Sequence, residues 1–95
     1  MNYYTYVMFS PKHYQYYTGQ CFDSPEVAIS KHNSGKSIST KKGAPWQLVY
    51  SKSFDNACES YLLMKKLQNV RSHRYMEYMI DNLHSNEINI NKREP

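Results

Sequence analysis

Tyrosines, histidines, cysteines and lysines carry whatever chemistry this chain can do, and their spacing decides which kinds are open to it. The chain holds ten tyrosines, four histidines and two cysteines. His13, His32, His73 and His84 stand at no metal-ligand spacing from one another or from Cys21 and Cys58, so the sequence names no metal site. The cysteines form no CxxC pair, and reduced thiols fit them better than a disulfide. Cys58 falls among apolar residues at helical spacing, which predicts a core side chain and not a nucleophile. Gly35-Lys36-Ser37 has phosphate-loop residues but lacks the Gly-x-x-x-x-Gly-Lys frame and the strand before it. Ten tyrosines against three phenylalanines and one tryptophan is an unusual balance. A tyrosine buries its ring yet keeps a hydroxyl that needs a partner, so several should sit at the core edge or in a site.

The charge is unevenly spread. Residues 1–30 carry Lys12 against Asp23 and Glu26, a net of −1. Residues 31–74 carry nine basic side chains (Lys31, Lys36, Lys41, Lys42, Lys52, Lys65, Lys66, Arg71, Arg74) against Asp55 and Glu59, a net of +7. Residues 75–95 carry Lys92 and Arg93 against Glu77, Asp81, Glu87 and Glu94, a net of −2. A basic middle of this size attracts polyanions; a solvated lysine-rich surface is the plainer alternative. No apolar stretch is long enough to cross a membrane. The opening residues have neither the basic start nor the apolar run of a signal peptide, so a cytoplasmic location is expected.

Ninety-five residues suffice for one domain with a modest core. Tyr3 to Phe9, rich in aromatic and β-branched residues, reads as a strand. Ser10-Pro11-Lys12-His13 reads as a turn and Tyr14 to Gly19 as the returning strand. Ser24-Pro25-Glu26 starts a helix: a capping hydroxyl, proline at the first position, then an acid near the positive end of the dipole. That helix should stop at Asn33-Ser34-Gly35, and 33–45 reads as an exposed loop. Trp46 to Ser51 is a third strand. From about Asn56 to Gln68, Ala57, Tyr61, Leu62, Met64 and Leu67 fall at helical spacing. Ser72 can cap a last helix whose Met76, Met79, Ile80 and Leu83 form one stripe. A domain over 1–83 and a polar tail from His84 follow. The class is α/β, β-β-α-β-α-α, a small three-stranded antiparallel sheet flanked by three helices.

Tyr-Thr-Tyr-Val at 4–7 followed by Tyr17-Thr18-Gly19 resembles the paired tripeptides of the GIY-YIG nuclease family. Further matches are His32-Asn33-Ser34-Gly35-Lys36, Thr40-Lys41-Lys42-Gly43 with Pro45-Trp46, Leu48-Val49-Tyr50-Ser51 and Lys65-Lys66-Leu67. In order and spacing they resemble the family's small bacterial stand-alone branch, related to an excinuclease nuclease domain, from Tyr3 to about Leu83. The resemblance implies phosphodiester hydrolysis. A hairpin tyrosine would activate water, an arginine on the first helix would stabilise the phosphate charge, and a glutamate on the second would hold one divalent metal. These are a base, a cation and a Lewis acid, each where such a reaction needs it. Tyr6 and Tyr17 match the tyrosines, and Gly19 and His32 are further matched positions.

The other two roles fall on unsuitable residues. Counting back from His32 puts the arginine at Ala28, and counting forward from Gly19 puts it at Val27. Lys31 is the nearest cation, about one turn along. Counting back from Lys65-Lys66-Leu67 puts the glutamate at Tyr61, with Glu59 as the one nearby carboxylate. The expectation is therefore a catalytically impaired domain that binds nucleic acid, DNA foremost, through Lys31, Lys36, Lys41, Lys42, Lys65, Lys66, Arg71 and Arg74. No cofactor is expected; magnesium or manganese would enter only in an active enzyme. Two alternatives stand beside it. One is an active metal-dependent, structure-selective endonuclease that uses Glu59. The other is a protein-interaction or dimerisation module that keeps only the fold. Tyr6, Tyr17, Ala28 (or Val27) and Tyr61 should converge on one depression, with the Tyr61 ring filling the carboxylate's place and no cation at the arginine's.

Overall fold

The structure, a computed structural model, describes residues 2–22 and 24–92, with side chains described through Leu83. Strand β1 (Tyr3–Ser10) pairs antiparallel with β2 (Gln15–Cys21) on one side and β3 (Gln47–Phe54) on the other, giving the order β2-β1-β3. Helix α1 (Pro25–Asn33) follows the hairpin, and α2 (Ala57–Gln68) and α3 (His73–Lys92) follow β3. The three-stranded antiparallel sheet with three helices is the architecture the sequence predicts.

Local chemistry explains the helix starts. The Ser24 hydroxyl accepts from the Val27 N–H at 3.3 Å, with Pro25 at the first helical position. Asn56 caps α2 by accepting from the Glu59 N–H at 2.8 Å, and Ser72 caps α3 by accepting from the Tyr75 N–H at 3.1 Å. Gly35, at φ 83°, ends the α1 segment in the left-handed conformation that glycine adopts without strain.

Alternation along β1 sends successive side chains to opposite faces of the sheet. Val7 packs with Tyr50, Leu67, Met76 and Ile80 under α2 and α3. Tyr6 and Met8 pack with Trp46, and Ala28 and Ile29 of α1 lie against them. The α3 stripe of Met76, Met79, Ile80 and Leu83 faces that first core, as predicted.

Three expectations need correction. Helix α2 buries Ser60 and Leu67, with Leu63 packed alongside, while Ala57, Tyr61 and Leu62 are exposed. The stripe was misplaced because a serine marks the tightest contact: Thr5 Oγ1 donates to the Ser60 carbonyl at 2.6 Å, and Gln20 Nε2 donates to Ser60 Oγ at 2.5 Å. With that face inward, Cys58 turns to solvent instead of the core. The 33–45 segment is also not simply an exposed loop. It contains a turn of 3-10 helix at Lys41–Gly43, and Thr40 and Gly43 are buried. Helix α3 includes the polar residues from His84 to Lys92; Arg93, Glu94 and Pro95 lie outside the described residues.

Candidate functional site

The α1 face of the sheet carries the matched residues, held by a chain of polar contacts. Tyr6 is 4% exposed, and its hydroxyl lies 2.9 Å from His32 Nε2. His32 Nδ1 lies 2.7 Å from Thr40 Oγ1. The Thr40 carbonyl in turn accepts from the Trp46 indole N–H at 2.8 Å. Asn33 clamps the Trp46 backbone at both ends, accepting from its N–H at 2.5 Å and donating to its carbonyl at 3.1 Å. Ser10 Oγ donates to the Gly43 carbonyl at 2.6 Å. Through these bonds the segments His32-Asn33, Thr40 to Gly43 and Trp46 become one unit across the end of the hairpin.

Two glycines let this unit close. A Cβ on Gly19 would meet the Tyr6 hydroxyl at 2.7 Å and its Cζ at 2.8 Å, so the ring can lie across β2 only where no side chain stands. At Gly43 a Cβ would meet Trp46 Cζ2 at 2.6 Å. Tyr17 lies on the same side, its ring centroid 5.3 Å from that of His32 and 6.2 Å from that of Trp46, and it is 36% exposed.

Burial pushes the Tyr6 phenol well above its ordinary pKa, with Tyr17 and Cys21 adding to the effect. Burial also pushes the His32 imidazole down. Tyr6 therefore keeps its proton and His32 stays neutral at pH 7. The Thr40 hydroxyl, 3.5 Å from the Ser37 carbonyl, can donate there. The consistent assignment has Nδ1–H donating to Thr40 Oγ1 and the Tyr6 O–H donating to Nε2. Tyr6 can act on a proton only by relaying it to His32, since its own phenolate is disfavoured.

Beside this pair opens a cavity of about 340 Å³, walled by Tyr6, Cys21, Val27, Ala28, Lys31, His32 and Lys36. Tyr6, Ala28 and Val27 thus share one depression, as the sequence predicts; Tyr17, expected there too, is absent from its lining and packs against His32 and Trp46 instead. Two further parts of that prediction are overturned. Lys31 and Lys36 do line the cavity, because Lys31 follows Val27 and Ala28 by one helical turn and shares their face. Tyr61 is absent from its lining: it lies on α2, over the opposite face, 46% exposed, with the Lys65 ammonium 6.0 Å from its ring centroid. Glu59, in the first turn of α2, is exposed and does not line the cavity either.

The sheet also divides the basic residues. Lys31 and Lys36 line the Tyr6 cavity, and Lys41 and Lys42 are exposed on the turn that buries Gly43 against Trp46. Lys65, Lys66, Arg71 and Arg74 lie on or after α2, which covers the other face. What reads as one basic block in the chain is two groups in space. The residues that sequence reasoning left without roles are Asn33, Thr40, Trp46 and Gln20. The first three stand inside matched segments, and a polar side chain in a matched segment was the available signal.

The chain belongs to the GIY-YIG family, whose catalytic domain matches residues 2–89. Among solved structures it is similar to a solution NMR structure of a UPF0213 protein from Bacillus halodurans. The two share 29% identity at a TM-score of 0.53, over 85% of this chain and 84% of that one. No curated protein matches it.

The family implies a divalent metal, and the cavity can be tested for it. Its described lining offers a phenol, an imidazole, a thiol, an amide and a serine hydroxyl, together with two ammonium groups and no carboxylate. Magnesium and manganese favour hard anionic oxygens, and two lysines beside the site repel a cation. Among the described residues no three His, Cys, Asp or Glu side chains come together. The residues present do not fit the metal. No described helix is long and apolar enough to cross a membrane.

Proposed function

We propose that this domain binds nucleic acid on the α1 face and does not hydrolyse it. The observation that carries the reading is the composition of the Tyr6 cavity, in which two lysines and no described carboxylate flank the Tyr6–His32 pair. Phosphate is the ligand such a lining suits. Lys31 and Lys36 supply positive charge at the wall, and Lys41 and Lys42 extend it along the neighbouring turn. Counting along the chain puts the family's arginine position on Ala28 or Val27 of the cavity wall, and neither side chain carries a charge. A preorganised charge-stabilising group is worth on the order of 10² to 10³ in rate. Lysine at the cavity wall offsets part of that loss as a point charge, without the planar fork that grips two phosphate oxygens.

The Tyr6–His32 hydrogen bond favours a second reading, residual hydrolysis with Tyr6 relaying a proton from water to His32. It supplies a proton path but no Lewis acid for the leaving group, so binding is the stronger function.

The test is a salt titration of binding to a labelled duplex. Each phosphate contact releases counterions, so affinity should fall steeply with salt, and replacing Lys31 and Lys36 together with alanine should flatten the slope by about two units. Binding indifferent to salt, or none at low salt, would leave the protein-interaction reading ahead.

A further inference from the structure

Two cavities adjoin at the turn between α2 and α3, and the lining of the first includes Tyr17, whose ring also flanks His32. One, of about 420 Å³, lies between the edge strand β2 and the turn joining α2 to α3. The second, of about 460 Å³, lies against Tyr75 and Met79 of α3. Both are walled by Val70, Arg71 and Ser72, so they form one trough with Arg71 at its middle and Lys66 on its second wall.

Aromatic rings stand at both ends. At the β2 end the Tyr14 and Tyr16 ring centroids lie 4.9 and 5.6 Å from that of His73. At the α3 end Tyr75 and Tyr78 stack at 5.9 Å with 16° between their planes. Tyr14, Tyr75 and Tyr78 are all more than half exposed. Tyr14 also holds φ 54°, a left-handed conformation that is unfavourable for a residue with a Cβ. The turn thus holds an exposed ring against His73 at some backbone cost. Acids adjoin its β2 end: Glu77 and Asp81 line a third cavity that shares Tyr16 with the first, and the Tyr16 hydroxyl donates to Glu77 at 3.5 Å.

We infer that this trough is a track for single-stranded nucleic acid, with unstacked bases against the Tyr14–His73 and Tyr75–Tyr78 rings and phosphates against Arg71 and Lys66. Every base has a π-face, so ring platforms separated by cations bind single strands with little regard to sequence, while a duplex keeps its bases inside and has none to offer. A protein interface has the reverse layout, an apolar centre depleted of charge inside a polar rim. Here the cation is central and the rings are peripheral. The inference adds a second surface to the α1-face reading and does not depend on it.

The experiment measures the binding of a labelled oligothymidylate and of a blunt duplex of equal length to the whole chain. It compares the wild type with Tyr75→Ala, Tyr75→Phe and Tyr14→Asn; asparagine tolerates the left-handed conformation, so the turn survives while the ring is lost. Circular dichroism and Trp46 fluorescence establish that each variant is folded. Tyr75→Ala and Tyr14→Asn should each weaken single-strand binding by about fivefold or more and leave duplex binding unchanged, and Tyr75→Phe should retain single-strand binding. Unaltered single-strand affinity in the folded Tyr75→Ala and Tyr14→Asn proteins overturns the inference. So does complete loss of single-strand binding on replacing Lys31 and Lys36 with alanine, which would place all binding on the α1 face. A wild type that binds the single strand in a Tyr75-dependent way but ignores the duplex would retain the track and reject the α1-face reading.

Discussion

On the α2–α3 side of the sheet, Val7, Tyr50, Leu67, Met76 and Ile80 meet through apolar surface. On the α1 side, Tyr6, His32, Thr40 and Trp46 are joined by directed hydrogen bonds, and Gly19 and Gly43 admit the Tyr6 and Trp46 rings. The first arrangement draws on area removed from water, which is non-directional and scales with the size of the side chain. The second draws on the position of single atoms. One face therefore rests chiefly on apolar area, and the other adds to its own buried cluster of Tyr6, Met8 and Trp46 the atomic geometry of a site that several point changes would disperse without unfolding the chain.

The contrast can be broken most forcefully at Leu67, which is fully buried. Leu67→Ala should cost about 2–5 kcal/mol in urea unfolding, while the His32 imidazole resonances keep their wild-type shifts in the folded protein. A change at His32 would mean that the two faces are not separable. Gly19→Ala should cost less, roughly 1–3 kcal/mol, because the new methyl must displace the Tyr6 ring. Its signature is local: the His32 resonances should move as Tyr6 leaves Nε2, and wild-type stability with unmoved His32 signals would refute the close approach.

The smallest expected effect is a pH dependence. Burial lowers the His32 pKa from its ordinary 6.5, so above 6.5 both states bind no proton there and its contribution is fully present. As pH falls below 6.5 the unfolded chain takes up a proton that the folded one resists, and stability declines. The effect is modest because His32 is only partly buried. Replacing His32 with glutamine should flatten this limb of the stability profile; an equal slope in both proteins would assign the pH dependence to other groups.

Much of the frame was legible in the residues, for identifiable reasons. The strands announced themselves by aromatic and β-branched content, and Ser24, Asn33 to Gly35 and Ser72 marked helix ends by chemistry that works locally. The α3 stripe was legible because every member is apolar. The α2 face was not, because Ser60 is buried by contacts from Thr5 and Gln20, residues 55 and 40 positions earlier in the chain. The Tyr6 side of the site followed from matched segments, whereas Lys31 came into it through helix periodicity that counting along the chain undervalued. Tyr61 was misplaced because its expected role required α2 to reach the α1 face, and the Ser60 contacts hold that helix on the other side. Charge was read correctly in amount and wrongly in distribution, since a sum over 31–74 cannot see a sheet passing through the middle of it.

The central claim, a phosphate-binding site without hydrolysis, is tested most directly by one cleavage assay under conditions in which binding is saturated. Branched, nicked and supercoiled DNA are incubated with the purified chain and magnesium or manganese. The account predicts DNA that is bound and left intact. Specific cleavage that is abolished by Tyr6→Phe or by Glu59→Gln would contradict it and identify an active endonuclease.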